Sequence, residues 1–174
     1  MQAKETAAAS LGARTIPSNY EVAVELDRLA DEVEGGERQV RLREMRETAL
    51  TVMRTLEVFS PRLIGSVWRG TARRGSDIDI VALSTSPDEI ASALSRYRIT
   101  EKGEVTFKER MHTYHIKLDI PPHEVEVVVR DPAEYEAEKC DIYGDVKKGL
   151  TLPELERLLR VDPLRRFVPR RGVR

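Results

Sequence analysis

This sequence predicts an α/β domain, more strictly α+β: a mixed sheet with helices packed on it, preceded by two N-terminal helices. Three observations carry that prediction. Apolar residues recur at three- and four-residue spacing through residues 20–59. Strict alternation takes over in residues 77–83, 104–108, 114–118 and 124–129, the period of a strand. A further amphipathic stretch, residues 86–98, separates the first alternating run from the others.

The 174 residues suit one domain able to bury a core. Charged residues are 34% and the hydrophobic set 40%, the composition of a heavily charged globular protein. A net charge of -1 excludes whole-protein attraction to nucleic acid. The single cysteine, Cys140, excludes an internal disulfide and fits a reducing compartment. No basic region precedes an apolar core at the amino end, and no apolar run approaches ~18 residues. A cytoplasmic protein without membrane contact is therefore expected.

In chain order, residues 1–17 are small, polar and without period, and read as a flexible leader. One domain is expected over 18–160, divided into a helical pair (18–60), a central core (61–130) and C-terminal helices (131–160). Ser18 with Glu21 reads as a capping box opening a helix over 20–34, with Val22, Leu26, Leu29 and Val33 along one side. Gly35-Gly36 ends it. A second helix is expected over 37–59, burying Leu42, Met45, Ala49, Val52, Met53 and Leu56, with Pro61 stopping the pattern. Packing on the sheet accounts for the pair, with dimerisation as a second role.

Ser86-Pro87-Asp88-Glu89 reads as another capping box, opening a helix that ends near Arg98. The alternating runs after it form a hairpin, then a turn at 119–122, then a last strand over 124–129. Residues 132–139 are expected as a helix. Thr151 and Glu154 start one more, with Leu152, Leu155, Leu158 and Leu159 as its packing stripe. Residues 161–174 form a basic tail, a solvated end or a contact for phosphate backbones.

The stretch around which the chain is organised is 62–83, RLIGSVWRGTARRGSDIDIVAL. Asp77 and Asp79 point to one side of their strand, while Ile78 and Ile80 point to the other. Two carboxylates on one strand side repel each other. A divalent cation with oxygen ligands removes the conflict, and Mg²⁺ or Mn²⁺ suits such ligands. The nucleotide loop GxxxxGK[ST] and the dinucleotide pattern GxGxxG are both absent.

Gly65-Ser66, an Arg-Gly-containing helical turn and an Asp-x-Asp strand together resemble the polymerase-beta-type nucleotidyltransferase superfamily. The match is good over 63–83 and looser to Arg130. The inserted hairpin and the Val125-Glu-Val-Val-Val129 run also resemble the head domain of archaeal CCA-adding enzymes. The resemblance implies a nucleotidyltransferase-like sheet with a metal-dependent active site. A nucleoside monophosphate would pass from an NTP, ATP being the expected donor, to a hydroxyl acceptor with release of pyrophosphate. Two metals about 3.5–4 Å apart support such chemistry. The catalytic and metal-holding residues implied are Asp77, Asp79 and a third acid on the last strand. Glu126 is the choice, set between Val125 and Val127, with Glu124 as the alternative. Gly65, Ser66, Arg69 and Arg73 are the expected contacts of the triphosphate.

The resemblance further implies a helical partner protein or a protein acceptor, while the basic tail leaves RNA open as an acceptor and the N-terminal helices leave a homodimer open as an assembly. His115 is expected on the polar side of the hairpin, and His112 is a weaker candidate for substrate contact. Two other functions remain open from sequence: a catalytically weak nucleotide-binding regulatory module and an RNA-binding scaffold.

Overall fold

The computed structural model describes residues 2–107 and 111–169. The segment expected as a leader holds a helix, α1 (Gln2–Ser10), whose alanines favour that conformation. Lys4 ties it down, its Nζ donating to the Pro17 carbonyl at 3.0 Å and to Asn19 Oδ1 at 2.7 Å. Next comes α2 (Asn19–Thr55), capped at Ser18 by the reciprocal bonds with Glu21 that the sequence announces. Gly35 interrupts it with φ 54° and ψ -137°, a backbone region open essentially to glycine. The two expected helices are thus an arm before Gly35 and a longer segment after it. The longer segment ends at Thr55, and residues 57–59 continue as a single 3₁₀ turn.

A six-stranded mixed sheet follows, built from β1 (Arg62–Ile64), β2 (Ile78–Leu83), β3 (Arg98–Phe107), β4 (Met111–Ile120), β5 (His123–Arg130) and β6 (Leu150–Thr151). Its spatial order is β3-β4-β5-β2-β1-β6. Only β2 and β5 run parallel; the remaining neighbours are antiparallel. The helices are α3 (Gly65–Arg69), α4 (Pro87–Ala93) and α5 (Leu152–Val161). The residues expected to face the core from α2 all do so: Leu42, Met45, Ala49, Val52, Met53 and Leu56 are buried. They join Leu63, Ile78, Ile80, Val125 and Val127 from the sheet and Leu155 and Leu158 from α5. Each such side chain other than Ala49 contributes about 1.5–3 kcal/mol on burial. The opposite sheet face is left for polar residues.

Three local expectations give way. The helix α4 stops at Ala93 rather than near Arg98, because Arg98 pairs with Asp119 as the first residue of β3. Ser86 makes no side-chain cap; Glu89 instead meets Ser84, whose Oγ accepts from the Ser86 amide at 2.9 Å. Residues 132–139 form no helix. Asp131 captures the Ala133 amide with its carboxylate and the Glu134 amide with its carbonyl, closing a turn. The strand-like bridge between Lys139 and Val146 then holds the rest extended. At Thr151, by contrast, the expected capping box forms with Glu154.

Residues 162–169 fold back as a strap over α2 and α3, and 170–174 of the expected basic tail lie outside the described residues. The strap is held by Arg46, which is fully buried. Its guanidinium donates to the carbonyls of Val67 (3.1 Å) and Trp68 (3.0 Å) on α3 and of Pro163 (2.6 Å) and Arg165 (2.9 Å) on the strap. Burial pushes its pKa down to about 10, against the opposing pull of Asp162, so it stays charged at neutral pH. Arg46→Met keeps the bulk but removes a buried donor from four carbonyls, of which, among the described residues, Val67 alone keeps a backbone partner, the Gly70 amide. It is expected to destabilise the fold by about 3 kcal/mol or more in urea titration. A loss below about 1 kcal/mol would mean that water replaces the guanidinium.

Candidate functional site

The polar face of the sheet carries the site. Pairing across four strands puts Ile64, Asp79, Glu126 and Lys117 in one row. The next row holds Arg62, Val81, Val128 and His115. Asp77 stands one residue before β2. The carboxylates of Asp77, Asp79 and Glu126 each offer an oxygen within 4.8 Å of the others. Glu124, the alternative, is exposed, pairs opposite Asp119 and is not part of the cluster.

Gly65 forms the wall beside Asp79. Its φ of 69° is in the left-handed region, and a Cβ built on it would fall 1.9 Å from Asp79 Oδ2. A side chain at 65 and the carboxylate of 79 therefore exclude each other. The chain turns directly from β1 into α3 at this point, so Ser66 follows immediately on the residue that walls Asp79. Gly65, Ser66 and Arg73 line one cavity, and Arg73 is exposed.

Arg69 departs from expectation. It is buried, and its guanidinium is committed within the protein: both Nη atoms reach Asp145 (3.1 and 2.7 Å), and Nη1 donates to the Phe167 carbonyl at 2.9 Å. It is stacked against Trp68 and Tyr143, 4.5 Å from each ring centroid. Arg69 thus clamps the 131–149 segment and the strap to α3, rather than standing as a free cation for phosphate. Arg74 is exposed at Glu34 and Glu37.

His115 is the residue sequence reasoning undervalued. Its ring bridges Glu126 Oε1 (3.0 Å from Nδ1) and Thr113 Oγ1 (2.8 Å from Nε2), fixing how the third carboxylate points. Alternation placed it on the polar side, but only the pairing of β4 with β5 shows what it meets there. The side chain of His112 lies outside the described residues.

Among the described residues neither Asp77 nor Asp79 has an ion-pair partner. Burial first, then the charges of Asp77 and Glu126, raise the Asp79 carboxyl to about 7. Three converging carboxylates short of positive charge fit a divalent cation with oxygen ligands.

The profile of the nucleotidyltransferase domain family matches residues 46–149. No curated protein matches the chain. Among solved structures it is similar to Cid1 in complex with the UTP analogue UMPNPP, at 19% identity over 67% of this chain and 38% of that one, TM-score 0.42. It is similar to a cytoplasmic RNA terminal U-transferase, at 17% identity over 63% of this chain and 37% of that one, TM-score 0.40. A third is the GLD-2/RNP-8 complex, at 16% identity over 64% and 38%, TM-score 0.38. The chain spans less than half the length of these chains.

Two outcomes follow from the geometry. Arg69→Ala should lower stability by about 2 kcal/mol or more, read by thermal or urea unfolding, since it leaves Asp145 and a carbonyl unpaired. Unchanged stability would mean that the clamp contributes nothing. The second concerns pH without divalent cations. Folded Asp79 keeps its proton up to about 7, whereas the unfolded group loses it near 3.8. The folded state then binds more protons in that window, so stability is present below about 4 and lost as pH rises through 7. The melting temperature with chelator present should fall over that range, and Asp79→Asn should flatten the fall. An equal slope in parent and variant would remove Asp79 as its cause.

Proposed function

We propose that this chain, which belongs to the nucleotidyltransferase domain family, transfers a nucleoside monophosphate from a nucleoside triphosphate to a hydroxyl acceptor with release of pyrophosphate. One observation carries the reading: Asp77, Asp79 and Glu126 converge to within 4.8 Å beside Gly65, and among the described residues neither aspartate has an ion-pair partner. The three carboxylates would hold Mg²⁺ or Mn²⁺, which when bound neutralises charge on the phosphates and lowers the pKa of the acceptor hydroxyl.

The reaction forms a bond from the acceptor oxygen to the α-phosphorus and breaks the α–β bridging bond, the electron pair leaving with pyrophosphate. Glu126, oriented by His115, is the carboxylate in place to take the acceptor proton. The Ser66 hydroxyl donates to the triphosphate. Arg73, exposed on the same cavity, supplies the positive charge that Arg69 cannot. Gly65 keeps side-chain bulk out of the space where Asp79 and the phosphates meet. An RNA end or a protein hydroxyl is the proposed acceptor class.

Pyrophosphate release with Mg²⁺ or Mn²⁺, each of the four NTPs, and RNA or cell protein tests this. The parent should turn over and be stabilised thermally by metal plus triphosphate. Asp79→Asn should stay folded, lose the metal-dependent rise, and lose at least about 10²-fold in rate. Parental turnover in Asp79→Asn would end the three-carboxylate mechanism.

A further inference from the structure

The arm of α2 before Gly35 carries apolar residues that the core does not use. Leu26 and Leu29 are each 41% exposed and Val33 is 83% exposed. The arm is positioned instead by charge. Asp27 and Asp31 both pair with Arg38 and with Arg166 of the strap, and Glu34 pairs with Arg41. Tyr20 adds a bond from its hydroxyl to the Pro169 carbonyl at 3.1 Å. These pairs fasten the arm to the later part of α2 and to the strap, and a cavity of about 480 Å³ lies between the arm, α3 and the 140–147 segment. That volume lies within the range of small-molecule sites.

Resting on the function proposed above, we infer that this cavity receives the nucleoside half of the triphosphate, so that the chain builds its own base-and-ribose pocket from its N-terminal arm. Three features point to this occupant. The cavity adjoins the acid cluster, since Gly65, whose missing Cβ would strike Asp79, and Ser76, next to Asp77, both line it. Its lining is of two kinds: Arg73 and Lys147, the latter also paired with Glu138 at 3.3 Å, carry positive charge, whereas Val22, Ala23, Leu26, Ile142 and Tyr143 offer apolar and aromatic surface for a ring. Asn19 also lines it. Its Oδ1 is taken by Lys4 at 2.7 Å, which leaves the amide NH₂ as a donor for a base edge. The one carboxylate on the lining, Asp27, is neutralised by Arg38 and Arg166.

The pocket separates two contributions to affinity, and the test separates them too. Calorimetric titration with Mg²⁺ compares inorganic tripolyphosphate with nucleoside triphosphates carrying a non-hydrolysable α–β link, one for each base. The parent should bind at least one nucleotide roughly tenfold or more tighter than tripolyphosphate. Ala23→Trp on the arm and Ile142→Trp on the facing segment each fill the cavity from opposite walls. Either variant, shown folded by its melting curve, should bring that ratio to about one while tripolyphosphate affinity stays at the parent's value. Equal affinity of the parent for tripolyphosphate and every nucleotide overturns the pocket and leaves the proposed chemistry standing. So does an undiminished ratio in both variants. A parent that binds no triphosphate of either kind overturns the functional reading and the pocket with it.

Discussion

The guanidinium of Arg46 is the interaction on which the rest depends. A fully buried charge without a directly paired acid is costly, and here it is offset by four backbone carbonyls and the attraction of Asp162. Two of the carbonyls belong to the C-terminal end of α3, where helix carbonyls run short of donors and Val67 has besides Arg46 only a 3.3 Å bond from the Gly70 amide among the described residues. The other two belong to the strap. One side chain therefore sets α3 against α2 and brings the strap to both. Because α3 begins at Gly65, its placement also sets the wall against which Asp79 lies. Arg69 extends the construction from the other side of α3, joining Asp145 and Phe167.

Charge is treated in two opposite ways across the molecule. On the arm of α2, acids are matched by Arg38, Arg41 and Arg166, and their effect is geometric. On the sheet face, three carboxylates are gathered with His115 as their one ion-pair partner among the described residues, and one of them holds its proton to about 7. A fold able to neutralise acids so fully elsewhere leaves these unneutralised at the flank of the Gly65-Ser66 turn. Such tension is characteristic of sites that gain their missing charge from what they bind. The 131–149 segment and the arm add walls to what would otherwise be an open sheet face. The apolar spacing of the arm reads in isolation as core; instead Val22 and Leu26 line a cavity, and Leu29 and Val33 are exposed.

Local chemistry determined much of this in the sequence alone. Strand period puts Asp77 and Asp79 on one side, and the core-facing Val125 and Val127 mark Glu126 as a position on the opposite, polar face of its strand. Ser18 with Glu21 and Thr151 with Glu154 announce caps that form, and the heptad-like spacing of 42–56 names the buried face of α2. Each is decided within a few residues, where backbone geometry leaves few options. Tertiary structure decided the rest. That Glu126 lies opposite Asp79 follows from the parallel register of β2 with β5, across 47 positions of sequence, which no local period encodes. Arg69 looks like a phosphate ligand until Asp145 and Tyr143 close on it, and Pro132 to Lys139 looks helical until Asp131 and the Lys139–Val146 bridge draw it into turns. His115 acquires its role only when β4 docks on β5. In each case the competing partner is distant in sequence, and a side chain's chemistry is set by the neighbour that folding brings to it.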